Sequence, residues 1–164
     1  MKSILIVEDL APTREWLRAL LHRIYPEAEI FDCGTLRCGF DWLGGQQPPD
    51  DILCLVDLGL PDGSGIDLIR RVRQTLPAAR IVVSTLYDDD AHVVAALAAG
   101  ATGYLLKDEE AVAIEARLRA MERGEVPMTP SISRRILDHV RHNARFFAVD
   151  KGVTLTAREM DVLR

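Results

Sequence analysis

The 164-residue chain predicts an open α/β fold, a parallel sheet with helices packed on both faces. Three observations carry this. Over the first 123 residues, short apolar runs alternate five times with stretches of helical period. The runs are continuously apolar, as in strands buried on both faces. The intervening stretches are long enough for the crossovers that parallel neighbours require.

Residues 4–7 form the first strand. Pro12 suits a first helical turn, and Trp16, Leu17, Leu20, Leu21 and Ile24 recur on one helical face until Pro26 stops it. A weaker strand lies at 29–31, and Trp42 beside Gly44, Gly45, Pro48 and Pro49 marks a helix end and a loop. The third strand is 52–56, and Ile69, Val72 and Leu76 define the helix that ends before Pro77. The fourth is 81–83. Asp88, Asp89 and Asp90 then resemble a metal site, but consecutive acids more often load a helix N-terminus, favourably against its dipole. Gly100 stops that helix. Residues 103–106 and the repeat Ile114, Leu118, Met121 complete the fifth unit.

The pattern breaks after Arg123. Residues 124–130 carry one Gly and two Pro and read as a linker. Ile132, Ile136 and Val140 place one more amphipathic helix at 131–141, whose apolar stripe needs a surface to cover it. Residues 142–153 read as irregular. Thr156 followed by Glu159 is a capping-box pattern opening a helix with Met160, Val162 and Leu163. The expected organisation is therefore 1–123, a linker at 124–153 containing one helix, and the start of a further domain at 154–164.

Composition excludes several classes. Apolar residues make up 48% and charged residues 27%, which is ordinary for a globular chain. No apolar run approaches the roughly 18 residues of a membrane span, so no membrane partner is expected. The N-terminus does not resemble a signal peptide. Cys33, Cys38 and Cys54 are an odd count without a CxxC pair, so no disulfide scaffold is expected and a reducing, cytoplasmic location fits. Residues 1–129 hold 13 Lys and Arg against 21 Asp and Glu, and such a body repels nucleic acid. Residues 130–164 hold 7 against 4, which is weakly basic and reads first as a solvated helix face.

In open parallel sheets, ligands bind beyond the carboxyl ends of the strands. There the first strand delivers Glu8 and Asp9, the third Asp57, the fourth Ser84 and Thr85, and the fifth Lys107. Two carboxylates about 5 Å apart repel by roughly 3 kcal/mol at an effective dielectric of ~20. Three together call for a shared proton or a cation. Hard oxygen ligands suit Mg²⁺, whereas zinc would want His or Cys, and the histidines fall elsewhere. A carboxylate beside Mg²⁺ can attack a phosphoryl donor and form an acyl phosphate. Lys107 and a hydroxyl would then hold the phosphoryl oxygens at about 1.5–3 kcal/mol per charge-assisted bond. Two such bonds approach the roughly 5.5 kcal/mol that swings a two-state equilibrium from 1:99 to 99:1.

The segment around Asp57, continuing through Leu58, Gly59, Leu60, Pro61, Asp62, Gly63, Ser64 and Gly65, resembles the phosphoacceptor segment of bacterial response-regulator receiver domains. Glu8 and Asp9 match that family's acid pair, and 100–108 match its lysine segment. Residues 155–163 are similar to the opening of the LuxR-type helix-turn-helix, which implies the NarL/FixJ class of transcriptional regulators. The resemblance implies a flavodoxin-like (βα)5 sheet of order 2-1-3-4-5. It implies that Asp57 accepts a phosphoryl group from a sensor histidine kinase. Asp9, Asp57 and the Gly59 carbonyl would bind Mg²⁺, with Glu8 acting through water.

Thr85, 22 residues before Lys107, would be the switch hydroxyl instead of Ser84, since adjacent strand residues face opposite ways. Tyr104 matches the switch aromatic. Gly59 and Tyr87 stand where the family tunes hydrolysis, and neither offers an amide or carboxylate to orient water, so a slow loss of the phosphoryl group is expected. A homodimer is expected on activation. DNA would be bound through a complete output domain but not by residues 1–164, because the reading helix of such a module lies later. The protein would assist its own phosphorylation and dephosphorylation without being an enzyme in the ordinary sense. An aspartyl phosphatase would place its nucleophile on the first strand with a second Asp two residues on, and position 59 is Gly. A receiver acting as a phosphorylation-independent interaction module is the alternative.

Overall fold

A computed structural model describes residues 1–45 and 50–150. Five parallel strands, β1 (Ser3–Val7), β2 (Glu29–Cys33), β3 (Ile52–Val56), β4 (Arg80–Thr85) and β5 (Gly103–Leu106), line up in the order 2-1-3-4-5. Between and after them run α1 (Ala11–Ile24), α2 (Leu36–Gly45), α3 (Gly65–Thr75), α4 (Asp90–Ala99) and α5 (Ala111–Ala120). This is the expected doubly wound sheet. The hydrophobic effect explains the two faces. Ile4, Ile6, Leu53, Leu55, Val82 and Leu105 form one core with Leu17, Leu20 and Leu21 of α1 and Ile114 and Leu118 of α5. The alternate positions Leu5, Cys54 and Val83 are as deeply buried, as are Leu68, Ile69 and Val72 of α3. Each such side chain contributes about 1.5–3 kcal/mol on leaving water.

Local chemistry closes the elements where the sequence placed punctuation. Pro12 lies in the first turn of α1, Ser64 caps α3, and Gly100 ends α4. Of the three aspartates 88–90, Asp89 caps α4 by accepting from the His92 amide at 3.1 Å. Asp62 bridges a longer distance in sequence. Its carboxylate accepts from the Leu36 and Arg37 amides at 2.7 and 2.9 Å, so the loop after β3 holds the start of α2. Those amides lower the pKa of the Asp62 carboxyl.

Three features depart from the sequence reading. First, Cys33 and Cys38 are joined as a disulfide, with their Cα atoms 5.6 Å apart, inside the range such a bond needs. No spaced framework is involved. The tight β2–α2 turn folds Cys38 back over the end of β2, a proximity that a count of cysteines does not show. Cys54 is free and buried, and burial pushes its thiol up to about 12. Second, residues 127–129 lie along the open edge of β5. The Tyr104 amide donates to the Pro127 carbonyl at 2.9 Å, and the Thr129 amide donates to the Tyr104 carbonyl at 3.0 Å. The Thr129 hydroxyl accepts from the Leu106 amide and donates to Glu109. Covering an edge strand removes unpaired backbone groups that would otherwise need water. The first compact unit is Met1–Thr129, and a second begins at Pro130. Third, a further helix, α6, runs Pro130–Asp150. Residues 142–150 are thus helical, where irregular chain was expected. No Gly or Pro interrupts 131–150, and the first break of that kind is Gly152.

Gly103 makes the edge pairing possible. A Cβ there would meet the Pro127 carbonyl oxygen at 2.6 Å. Gly103→Ala is therefore expected to detach 127–129 at a cost of about 1–3 kcal/mol. Hydrogen exchange would then show the Tyr104 and Thr129 amides losing protection while the amides of β1 and β3 keep theirs.

Candidate functional site

The register brings the strand ends level. Val7 pairs with Val56, and Thr85 with Leu106, so Glu8, Asp9, Asp57 and Lys107 all emerge at one edge of the sheet. Ligand oxygens of Glu8, Asp9 and Asp57 lie within 4.8 Å of one another. Glu8 and Asp57 are 1% and 7% exposed, whereas Asp9 is partly open to solvent. The Lys107 ammonium donates to Asp57 Oδ2 at 2.8 Å and also pairs with Glu8 Oε2. The other oxygens of Glu8 and Asp57 are held by backbone. Leu10 N donates to Glu8 Oε1 at 3.1 Å, and Gly59 N to Asp57 Oδ1 at 3.3 Å.

Burial raises the Glu8 carboxyl above its ordinary pKa, and the pull of Lys107 opposes this only in part. Burial by itself would lower the Lys107 ammonium. The carboxylates of Asp57 and Glu8 outweigh that effect, and its pKa is raised. One cation thus faces three acids, a surplus of negative charge that a divalent ion would relieve. The donors are all hard oxygens, and among the described residues no His or Cys joins this cluster. The set fits Mg²⁺ and does not resemble a zinc site.

A cavity of about 270 Å³ opens above these groups, lined by Asp9, Asp57, Gly59, Thr85, Tyr87 and Lys107. Thr85 is buried and lines this cavity, while Ser84 lines an adjoining groove with Trp16 and Ile114. The alternation expected along β4 therefore separates the two hydroxyls as predicted. Tyr104 is fully buried, and its hydroxyl donates to the Tyr87 carbonyl at 2.6 Å. The structure gathers Asp9, Asp57, Gly59, Thr85 and Lys107 around one cavity with Glu8 beside them, whereas Ser84 lies outside its lining and Tyr104 is buried, reaching it through the Tyr87 carbonyl.

Sequence reasoning named Tyr87 and Gly65 but missed a contact that each makes. The Tyr87 ring stacks on His92, with centroids 4.4 Å apart and planes 8° from parallel. Gly65 allows the start of α3 to approach the backbone of Asp57 and Leu58. The spacing from the Asp89 cap to His92 was the available signal for the first. The second had none beyond the glycine itself.

Residues 4–119 match the family described as "Response regulator receiver domain". The chain belongs to that family. This receiver is 36% identical over 168 residues to Photosynthetic apparatus regulatory protein RegA of Rhodovulum sulfidophilum, spanning 99% of the chain and 86% of that relative. It is 32% identical over 161 residues to Uncharacterized transcriptional regulatory protein YhcZ of Bacillus subtilis, spanning 98% and 73%. Among solved structures, a LuxR-family two-component response regulator from Aurantimonas sp. SI85-9A1 superposes with a TM-score of 0.69. It is 27% identical and covers 84% of this chain and 96% of its own.

The solved relative is described as a LuxR-family regulator and the two curated relatives as regulatory proteins, in line with the resemblance. Receivers of such two-component systems control transcription, are phosphorylated on an aspartate and interact with histidine kinases. They bind Mg²⁺ in an acidic pocket and are signalling proteins more than enzymes. Among the described residues, no helix is long and apolar enough to cross a membrane. The DNA-binding start expected at 154–164 lies outside the described residues.

Proposed function

We propose that Asp57 is the phosphoacceptor of this receiver, taking the group from a phosphohistidine of a sensor kinase. The observation that carries this is the placement of Asp57 at the cavity floor, one oxygen held by Lys107 and the other by the Gly59 amide. A carboxylate oxygen attacks phosphorus, the phosphorus–nitrogen bond breaks, and the histidine leaves. Lys107 is placed to follow the new charge from the carboxylate to the phosphoryl oxygens. Asp9, Asp57 and the Gly59 carbonyl would hold Mg²⁺, with Glu8 acting through water. That ion supplies counter-charge to the phosphoryl oxygens when bound.

Thr85 is the switch hydroxyl and Tyr104 the switch aromatic in this reading. Thr85 Oγ1 accepts from the Tyr87 amide at 3.4 Å, and Tyr104 holds the Tyr87 carbonyl, so a shift of the hydroxyl reaches the loop before α4. The exposed Leu10 and Leu86 border a groove of about 450 Å³ that also reaches Lys107, which suits docking of a protein donor. The output is a LuxR-type DNA-binding domain beginning near residue 154, joined through the 124–153 linker. The active form is a homodimer, and the location that of its kinase's cytoplasmic side.

The test is direct. With Mg²⁺ and acetyl phosphate, intact mass spectrometry should show one added phosphoryl group, labile to hydroxylamine as an acyl phosphate is, on the peptide spanning β3. A chain that stays unmodified, or carries the group elsewhere, overturns the reading. Mg²⁺ alone should raise the melting temperature, because binding at ten times the dissociation constant stabilises by about 1.4 kcal/mol. EDTA should reverse the gain, and Asp9→Ala should abolish it in a thermal-shift titration.

A further inference from the structure

The wall of the acceptor cavity includes Tyr87, a half-exposed ring in a loop. A Cβ built on Gly59 would meet Tyr87 Cε2 at 3.0 Å and its hydroxyl oxygen at 3.1 Å, so the phenol end lies directly over Gly59. Gly59 is two residues from Asp57, and its amide holds the acceptor carboxylate. The backbone of Tyr87 is tied to Thr85 and Tyr104. These bonds position the residue but leave rotation of the side chain free.

The ring is positioned from α4. His92 stacks on it nearly face to face. The imidazole is in turn fixed from below, with Nδ1 2.6 Å from Asp89 Oδ2, while Asp89 Oδ1 accepts from the His92 amide. A single aspartate thus caps the helix and orients the imidazole. The contacts run from Asp89 through His92 and Tyr87 to Gly59, beside the reacting carboxylate.

We propose that His92 is a positioning residue: its imidazole holds the Tyr87 ring over Gly59 at the cavity mouth and so slows hydrolysis of the aspartyl phosphate. This rests on the reading of Asp57 as acceptor. In hydrolysis a water oxygen attacks phosphorus and the bond from phosphorus to the Asp57 oxygen breaks, its electron pair returning to the carboxylate. The protons of the water leave with inorganic phosphate or to solvent. Neither Gly59 nor Tyr87 brings a side-chain amide or carboxylate to orient that water, and a ring held in place occupies part of its approach. Releasing the ring opens the approach without touching Asp57, Lys107 or the acids.

The experiment loads the whole chain with acetyl phosphate and Mg²⁺, removes the donor, and follows loss of the phosphoryl group by intact mass. His92→Ala should shorten the lifetime by roughly two- to tenfold, the range that an aromatic stack is worth. His92→Phe keeps a flat ring against Tyr87 and should stay near the parent lifetime. Tyr87→Ala should decay as fast as His92→Ala, and the double variant no faster than Tyr87→Ala alone. Without any phosphorylation, the Tyr87 ring-proton resonances should move in His92→Ala and stay in place in His92→Phe.

An unchanged lifetime in His92→Ala overturns the proposal, as does a His92→Phe chain that decays like His92→Ala or a double variant whose effects multiply. Failure of the parent chain to take up a phosphoryl group would instead refute the assignment of Asp57. The resonance measurement would still decide whether His92 places the ring.

Discussion

Asp57→Ala is expected to take up no phosphoryl group from acetyl phosphate and to keep its fold. The loss is complete because the other two carboxylates are not placed as Asp57 is. Glu8 is 1% exposed and engaged by Lys107 and the Leu10 amide, while Asp9 lacks a contact with the Lys107 ammonium among those observed. The fold survives because Lys107 still faces Glu8, so the buried cation keeps a counter-charge. Removing Asp57 also removes its repulsion with its two acidic neighbours, roughly 3 kcal/mol per pair at an effective dielectric of ~20. This offsets the lost Lys107–Asp57 bond. The melting temperature should therefore remain within about 3 °C of the parent, or roughly 1 kcal/mol. Intact mass and a thermal melt on one sample measure both. An Asp57→Ala chain that still gains the group would move the acceptor elsewhere.

The second large effect is structural. Gly65→Ala should destabilise by about 3 kcal/mol, the upper part of the usual overpacking range, and lower the melting temperature by roughly 10 °C. The added Cβ would collide with the Asp57 carbonyl oxygen and come within 3.0 Å of Leu58 Cα. These are backbone atoms, which cannot swing aside as a flexible side chain does. The Gly65 amide also donates to the Leu58 carbonyl at 3.0 Å, which locks the start of α3 onto the same loop. Relief requires the acceptor loop to move, so phosphorylation should slow along with the loss of stability. Asp57→Ala and Gly65→Ala thus separate chemistry from architecture. One abolishes the adduct at nearly constant stability, and the other lowers stability with the acceptor carboxylate still present.

Much of the site was legible in the sequence because a parallel sheet turns position along a strand into position in space. Once residues 4–7, 52–56 and 103–106 are strands, whatever follows each of them emerges at one edge. Thr85 and Ser84 separate for the same reason, since alternation along β4 decides which hydroxyl faces the cavity. The Asp89 cap was also readable, because capping is local. Other features depend on contacts between segments. Asp62 reaches Leu36 and Arg37 across the sheet edge, and residues 127–129 find β5 only because its outer edge was unpaired. The Cys33–Cys38 pairing depends on how tightly one turn closes, and the Tyr87–His92 stack on the direction in which α4 leaves its loop.

Hydrophobic period, helix punctuation and the residues after each apolar run were sufficient for the element order, the sheet class and the acidic edge, all of which arise from forces acting within about one helix turn or one strand. Only the folded chain decided which oxygen Lys107 holds, what lies over Gly59 and what covers β5. Such contacts join residues tens of positions apart, and their geometry depends on packing around a core, where a displacement of an ångström makes or breaks a hydrogen bond.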